Sequence, residues 1–430
     1  MGLYIGNMQN TILPAKVRAV LDEDVPMYGL KYDSVADVNI RTYDAADLVF
    51  EPSVKNNNTY DSTSSVSAIT AGRDDFRNLA PFNVRECYRV YDNGEAVYYY
   101  KHDYTDVGWH DVLTQNQVNS TDDAVKSIPT GGLAMIEFPE FWYKRVHIGD
   151  GGFEIIVSPQ YKQGFTPDPW HYHNGVHYNK RYISKYPAPP SGQNLGVNYY
   201  TPRSITYFRD YAYPKGLRII YPEVYFSLLM LMMVKYGTTS IQDIFGNGNH
   251  GKRNYANPPG YTLGMDDGYT LGKDNDASSI VMMGIENFYG HTLKILDACV
   301  ALYPYFYLAD IDAIAQSTDL INADMSQLYY LNFEYTDNTN SFGSYYRLYN
   351  SEYDWLFPVV KASTTGVDMD KTQENALFSV GNPYNKYLIT FGGDFASNAS
   401  PMMVDAQNLT SMTTTFDYGN NSRLSTFYVC

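Results

Sequence analysis

Between Val224 and Val234 every side chain except Ser227 is apolar. Such a run cannot lie on a surface as one stripe of an amphipathic helix, because it needs packing partners on several sides. It is too short for the ~20 apolar residues that span a bilayer. The reading is a helix buried inside a core. Pro222 suits the first helical turn, where its missing N–H costs nothing, and Gly237 supplies a left-handed stop after Lys235. A shorter helix is expected ahead of it, from a Thr201-Pro202 start to about Tyr211, ended by Pro214 and Gly216.

Around these helices the sequence alternates as strands do. Arg85–Cys87 and Val90–Tyr100 read as a hairpin through Asp92-Asn93-Gly94. Leu133–Val146 reads as one aromatic-rich strand in which Pro139 marks an edge or a bulge, followed by a hairpin through Asp150-Gly151-Gly152 into Phe153–Val157. Leu217–Ile220 is a short strand between the helices, and Tyr28–Phe50 carries short alternating strands. Lys55–Ala68 is a polar loop or linker, and Asn247–Asp276 a long surface loop in which Tyr261–Gly264 recurs as Tyr269–Gly272. The expected organisation is a β-rich region over 1–80, a β-rich lead-in over 81–200 and a helix-containing, loop-rich half over 201–430. For the first region an extra β-layer of the main domain is an almost equal reading.

The 430 residues include 43 tyrosines, more phenols than a core requires, so many should be half exposed. Tyrosine gives rigid contact area and a hydroxyl at low entropic cost, although it is also a good strand former. A net charge of −16 argues against nucleic-acid binding, for want of a basic stripe to displace counterions. Cys87, Cys299 and Cys430 form neither a disulfide framework nor a metal-finger spacing. Met1–Leu21 lacks a continuous apolar core, so a chain made in the cytoplasm and not inserted in a membrane is expected.

Four patches in order, Cys87–Trp109, Met135–Val146, Ser227–Gly248 and Gly284–Gly290, resemble phage tail-fibre or receptor-binding proteins with a C-type-lectin-like domain. This is the scaffold shared with sulfatase-modifying factors and retroelement-diversified proteins. Tyr182–Tyr186, Gly392-Gly393-Asp394-Phe395 and Arg423-Leu424-Ser425 extend the resemblance over roughly 81–430, whereas the family's Trp after Gly290 and its Ser-Trp pair are replaced here. The resemblance implies an α+β fold with two helices, short antiparallel sheets and long loops. It further implies a virion adhesin at a tail-fibre tip or a head or collar fibre, homotrimeric, attached to other virion proteins through its N-terminal region. Its receptor, a host-surface glycan or protein, would meet the last stretch, over Phe342–Asp354 and Asp394–Ser422. The ligand-binding candidates there are Tyr345, Tyr346, Tyr349, Tyr353, Asn398, Asn408, Tyr418, Asn420 and Asn421. A structural virion component without receptor binding is the alternative, and a polysaccharide depolymerase the third reading.

Chemistry-bearing patterns are sparse, and no enzyme is expected. The sulfatase-modifying branch needs two nearby cysteines in this half, and Cys299 and Cys430 are far apart in sequence. His171, His173 and His177 beside Asp168 are the best metal candidates, since alternate strand residues share a face. Asn174-Gly175 marks a turn, however, and a surface hairpin is the preferred reading. Asp266-Asp267-Gly268 and Asp274-Asn275-Asp276 could hold a structural loop calcium, although neither has the EF-hand spacing. A depolymerase would need two carboxyls across a cleft, for which Glu137 and Glu140 are the candidates.

Overall fold

In the computed structural model the apolar run forms a single helix, Pro222–Tyr236, buried along its whole length apart from Glu223. The structure describes residues 25–33, 35–55, 69–92, 94–100, 133–149, 152–187, 204–246, 270–271, 280–302, 305–322, 329–331, 355, 386–392, 404–408 and 424–430. The shorter helix ahead, here α1, is Ile205–Ala212, followed by a single 3-10 turn over Tyr213–Lys215 and by Gly216 at φ 64°. The long helix is α2, and a third, α3, is the single turn Ile241–Phe245. Among the described residues no helix is long and apolar enough to cross a membrane.

Gly237 ends α2 at φ 72°, donating its N–H to Met233 O at 2.8 Å. The last turn is capped from the N-terminal part of the chain: the Arg41 guanidinium donates to Lys235 O at 2.5 Å and to Leu48 O at 3.0 Å. A cation at a helix C-terminus satisfies orphan carbonyls and meets the negative end of the dipole. This contact ties residues around 40 to the central helix.

Three large sheets occur among the described residues. The N-terminal sheet runs in the order Thr166–Pro167, Trp142–Gly149, Gly152–Ser158, Tyr28–Asp33 and Val38–Tyr43. The central sheet runs Arg218–Ile219, Tyr428–Val429, Lys180–Ser184, Leu133–Pro139, Arg85–Asp92 and Glu95–Tyr100. The C-terminal sheet runs Tyr329–Leu331, Tyr305–Leu308, Leu293–Leu302, Lys386–Phe391 and Val404–Asn408, with Leu424–Ser425 added in parallel to Leu293-Lys294. α2 packs on strands 28–33 and 152–158 and on strand 293–302, so it lies between the N-terminal and C-terminal sheets. The chain is thus mixed α and β, mostly antiparallel and poor in helix.

Hydrogen-bonded pairing crosses both expected boundaries. Tyr28–Tyr32 pairs with Phe153–Val157, across residue 80. Val429 pairs with Ile183 and Arg218, across residue 200. In its described part the N-terminal region is therefore a layer built onto the same core. The segment expected as one strand over 133–146 is two, broken at Glu140-Phe141, and its halves belong to different sheets. Pro139 has no N–H to donate, so pairing ends there and the chain turns into the neighbouring layer.

The Gly284–Gly290 motif is a buried clasp. Asn287 and Ile280 exchange hydrogen bonds, the Tyr289 hydroxyl donates to Gly246 O at 2.5 Å, and Gly290 N donates to Gly392 O at 2.8 Å. Phe288 packs among Tyr225, Phe391 and Phe427. At Gly392, φ 83°, a Cβ would lie 3.0 Å from Phe288 O, so glycine permits this approach.

Candidate functional site

Strand register locates the candidate binding stretch. Leu302 pairs with Lys386 and with Tyr305, Phe306 pairs with Leu331, and Tyr387 pairs with Asn408. Leu331, Lys386 and Asn408 therefore stand at one end of the C-terminal sheet. The connection over 332–385 leaves and returns at this end, and the connection over 409–423 starts from it. Phe391 pairs with Val404 at the other end, beside the buried clasp, so the connection over 393–403 belongs there.

The candidates divide accordingly. Tyr345, Tyr346, Tyr349 and Tyr353 belong to the first connection, and Tyr418, Asn420 and Asn421 to the one that begins after Asn408; all seven lie outside the described residues. Asn408 closes its strand at the shared end. Asn398, also outside the described residues, belongs to the connection at the opposite end of the sheet. The nine candidates are thus not carried by one set of neighbouring connections. Trp355, which sequence reading passed over, is buried and packs on Phe226 of α2, with ring centroids 6.1 Å apart. It fixes a point on the 332–385 connection two residues after Tyr353. The apolar run Trp355-Leu356-Phe357-Pro358-Val359-Val360 within a polar stretch was the available signal.

Tyr172-His173 and Val176-His177 pair as a hairpin, and the three histidines considered as metal ligands take separate partners. His171 is buried: its Nδ1 meets the Asp168 carboxylate, and its Nε2 donates to Phe138 O at 3.1 Å. The Ser227 hydroxyl from α2 donates to the other oxygen of the same carboxylate. Serine, histidine and aspartate meet here, but with wiring unsuited to nucleophilic catalysis. The hydroxyl donates to the carboxylate and not to the imidazole, and all three groups are sealed from solvent. Their role is to join the 168–171 turn to the central helix.

His177 pairs instead with Glu140. His173 turns to the Ile311–Ala313 turn, where its Nε2 lies 3.5 Å from Asp310 and 3.3 Å from Asp312. One ligand atom from each of these three residues falls within 4.8 Å of the others. The carboxylates already accept hydrogen bonds, Asp312 from Asn174 Nδ2 at 2.9 Å and Asp310 from Asp312 N at 3.0 Å, so the group serves as a polar staple between hairpin and turn. Nearby Glu223 is pushed up to about 7, first by desolvation and then by Asp310 and Asp312. The two Asp-rich stretches considered for calcium, at 266–268 and 274–276, lie outside the described residues.

Glu137 is almost fully buried and accepts from Lys180 Nζ and from the Tyr182 hydroxyl, each at 3.1 Å. With Glu140 held by His177, both carboxyls considered for glycoside hydrolysis are engaged in ion pairs. Cys299 lies fully buried in the core with its thiol pushed well up by desolvation, and Cys430 contacts the Tyr98 hydroxyl; all three cysteines are free.

No protein-family model matches the sequence, and no curated protein matches it.

Proposed function

We propose that this chain is a phage virion adhesin on a C-type-lectin-like scaffold, which binds a host-surface glycan or protein through the connections of its C-terminal sheet. One observation carries the reading. The long 332–385 connection, which carries four of the candidate tyrosines, is anchored at both ends on one end of the sheet and at Trp355 on the central helix. Long connections raised on a rigid base are where recognition residues concentrate, and tyrosine supplies contact area at low entropic cost. The Asn408-to-Leu424 connection starts beside it and adds amides that bond hydroxyls.

The return of the last strand supports the same reading. Tyr428–Val429 pairs beside Arg218–Ile219, so the span from α2 to residue 427 begins and ends on one sheet. Insertions in such a closed unit change the binding surface without loosening the core. We assign the chain to the virion as a homotrimer, with attachment to other virion proteins through its N-terminal region. The exposed Val38 and Ile40 on the outer strand of the N-terminal sheet favour a contact there.

Adsorption competition tests the function. Added in excess, the purified chain should reduce attachment of the particle that carries it to its host cells. Unchanged attachment at saturating protein assigns the chain to the structural, non-adhesive role.

A further inference from the structure

We propose a second ligand surface, independent of the receptor reading, on the face where the 85–100 hairpin meets the C-terminal turn of α1: a site for an acidic saccharide. Two half-exposed cations, Lys215 and Arg218, meet there beside a buried third, Arg89. The Arg89 guanidinium sits 5.2 Å over the Tyr91 ring and donates to Lys215 O at 2.7 Å. Lys215 Nζ lies 3.3 Å over Tyr211, and the Arg218 guanidinium lies 4.3 Å over Tyr213. Tyr211 in turn stacks on Tyr428 at 5.2 Å.

Two features set this surface apart from an ordinary solvated one. The chain has 47 acidic residues against 31 basic ones, and Lys180, Lys185, Arg209 and Lys235 all have carboxylate partners. Arg89, Lys215 and Arg218 have none among the described residues; of the acids on the hairpin, Glu86 is held by Lys185, and Asp92 and Glu95 are register partners at its tip. Burial without a counter-charge pulls the Lys215 ammonium down. Beneath the surface, the Tyr213 hydroxyl is buried with no hydrogen-bond partner among the described residues. Buried hydroxyls are ordinarily satisfied, so this one is a donor awaiting an acceptor, whereas the Tyr428 hydroxyl is fully enclosed and out of a ligand's reach.

The chemistry selects the ligand. Tyr91 and Tyr207 remain partly exposed, and aromatic faces stack on the C–H faces of sugar rings. Lys215 and Arg218 match carboxylates, and each is already held against a ring, so little side-chain freedom is lost on binding. Gly216 stands beside them at φ 64°, a left-handed conformation that glycine adopts without strain.

Affinity electrophoresis of the full chain tests this, with polygalacturonate in the gel and with dextran and polyphosphate as comparisons. Polygalacturonate should retard the chain, dextran should not, and polyphosphate should retard it less. Lys215→Gln with Arg218→Gln should weaken retardation about tenfold, the loss of one or two charge-assisted hydrogen bonds. Tyr91→Ala, a change at an exposed ring, should weaken it as well and carries the test if the double variant does not fold. Changing Tyr345, Tyr346, Tyr349 and Tyr353 to Ala should leave it intact. Absence of retardation by polygalacturonate overturns the proposal. Equal retardation by polyphosphate, or retention unaffected by Tyr91→Ala, reduces the surface to a general anion exchanger and overturns it too.

Discussion

At Arg209 and Asp297 two fully buried charges face each other, with guanidinium nitrogens 2.9 and 2.6 Å from the two carboxylate oxygens. A third bond runs from Arg209 to Thr318 O at 2.5 Å. The carboxylate reaches the arginine because strand 293–302 shifts register between Leu296 and Val300, with Ala298 at φ 57°. Removing one partner strands the other charge, so Arg209→Met should cost about 3–5 kcal/mol in denaturant unfolding, and combining it with Asp297→Leu should restore much of this. Gly237→Ala should also destabilise, by about 1 kcal/mol or more: φ is positive and a Cβ would meet the Arg41 guanidinium. Glu223 gives a pH dependence. Its native pKa of about 7 exceeds the ordinary glutamate value of 4.5, so the folded state holds the proton more tightly. Stability should be highest below the lower value and fall as pH rises through the upper one; in thermal melts, Glu223→Gln should flatten that fall over about pH 5–8. Pro222 and Gly237 were legible as helix punctuation because their conformational limits are local. The Arg209–Asp297 pair was not, since 88 residues separate partners that only the fold brings together. The burial of His171, expected on a surface hairpin, was not legible for the same reason: Phe138, whose carbonyl accepts from it, lies 33 residues away.

Among elements, α2 was the most legible, because an apolar run without a polar face admits one environment. The hairpins at 85–100 and 142–158 followed from turn residues between alternating strands. The division of 133–146 between two sheets was not visible, since both halves carry the same aromatic alternation and Pro139 fits a bulge as well as a change of layer. Trp355 was missed because periodicity cannot single out one anchor within a polar connection. Trp355→Ala should cost about 3 kcal/mol through the cavity left beside Phe226, and should raise protease cleavage within 332–385 before the rest of the chain. Unchanged cleavage there would remove its role as an anchor.

For the whole molecule, three sheets and one central helix form a base that returns its last strand beside the strand preceding α2. The mixed α and β class was readable from the alternation of patterns. The course of pairing across residues 80 and 200 was not, because strand partners distant in sequence leave no local mark. The adhesin account depends on one end of the C-terminal sheet presenting the tyrosine-bearing connection. The most direct measurement is binding of the purified chain to host cells, comparing wild type, the variant with Tyr345, Tyr346, Tyr349 and Tyr353 changed to Ala, and Asn398→Ala from the opposite end. With all three equally folded, the account predicts that wild type and Asn398→Ala bind and the tyrosine variant does not. Undiminished binding by the tyrosine variant, or no binding by folded wild type, would contradict it.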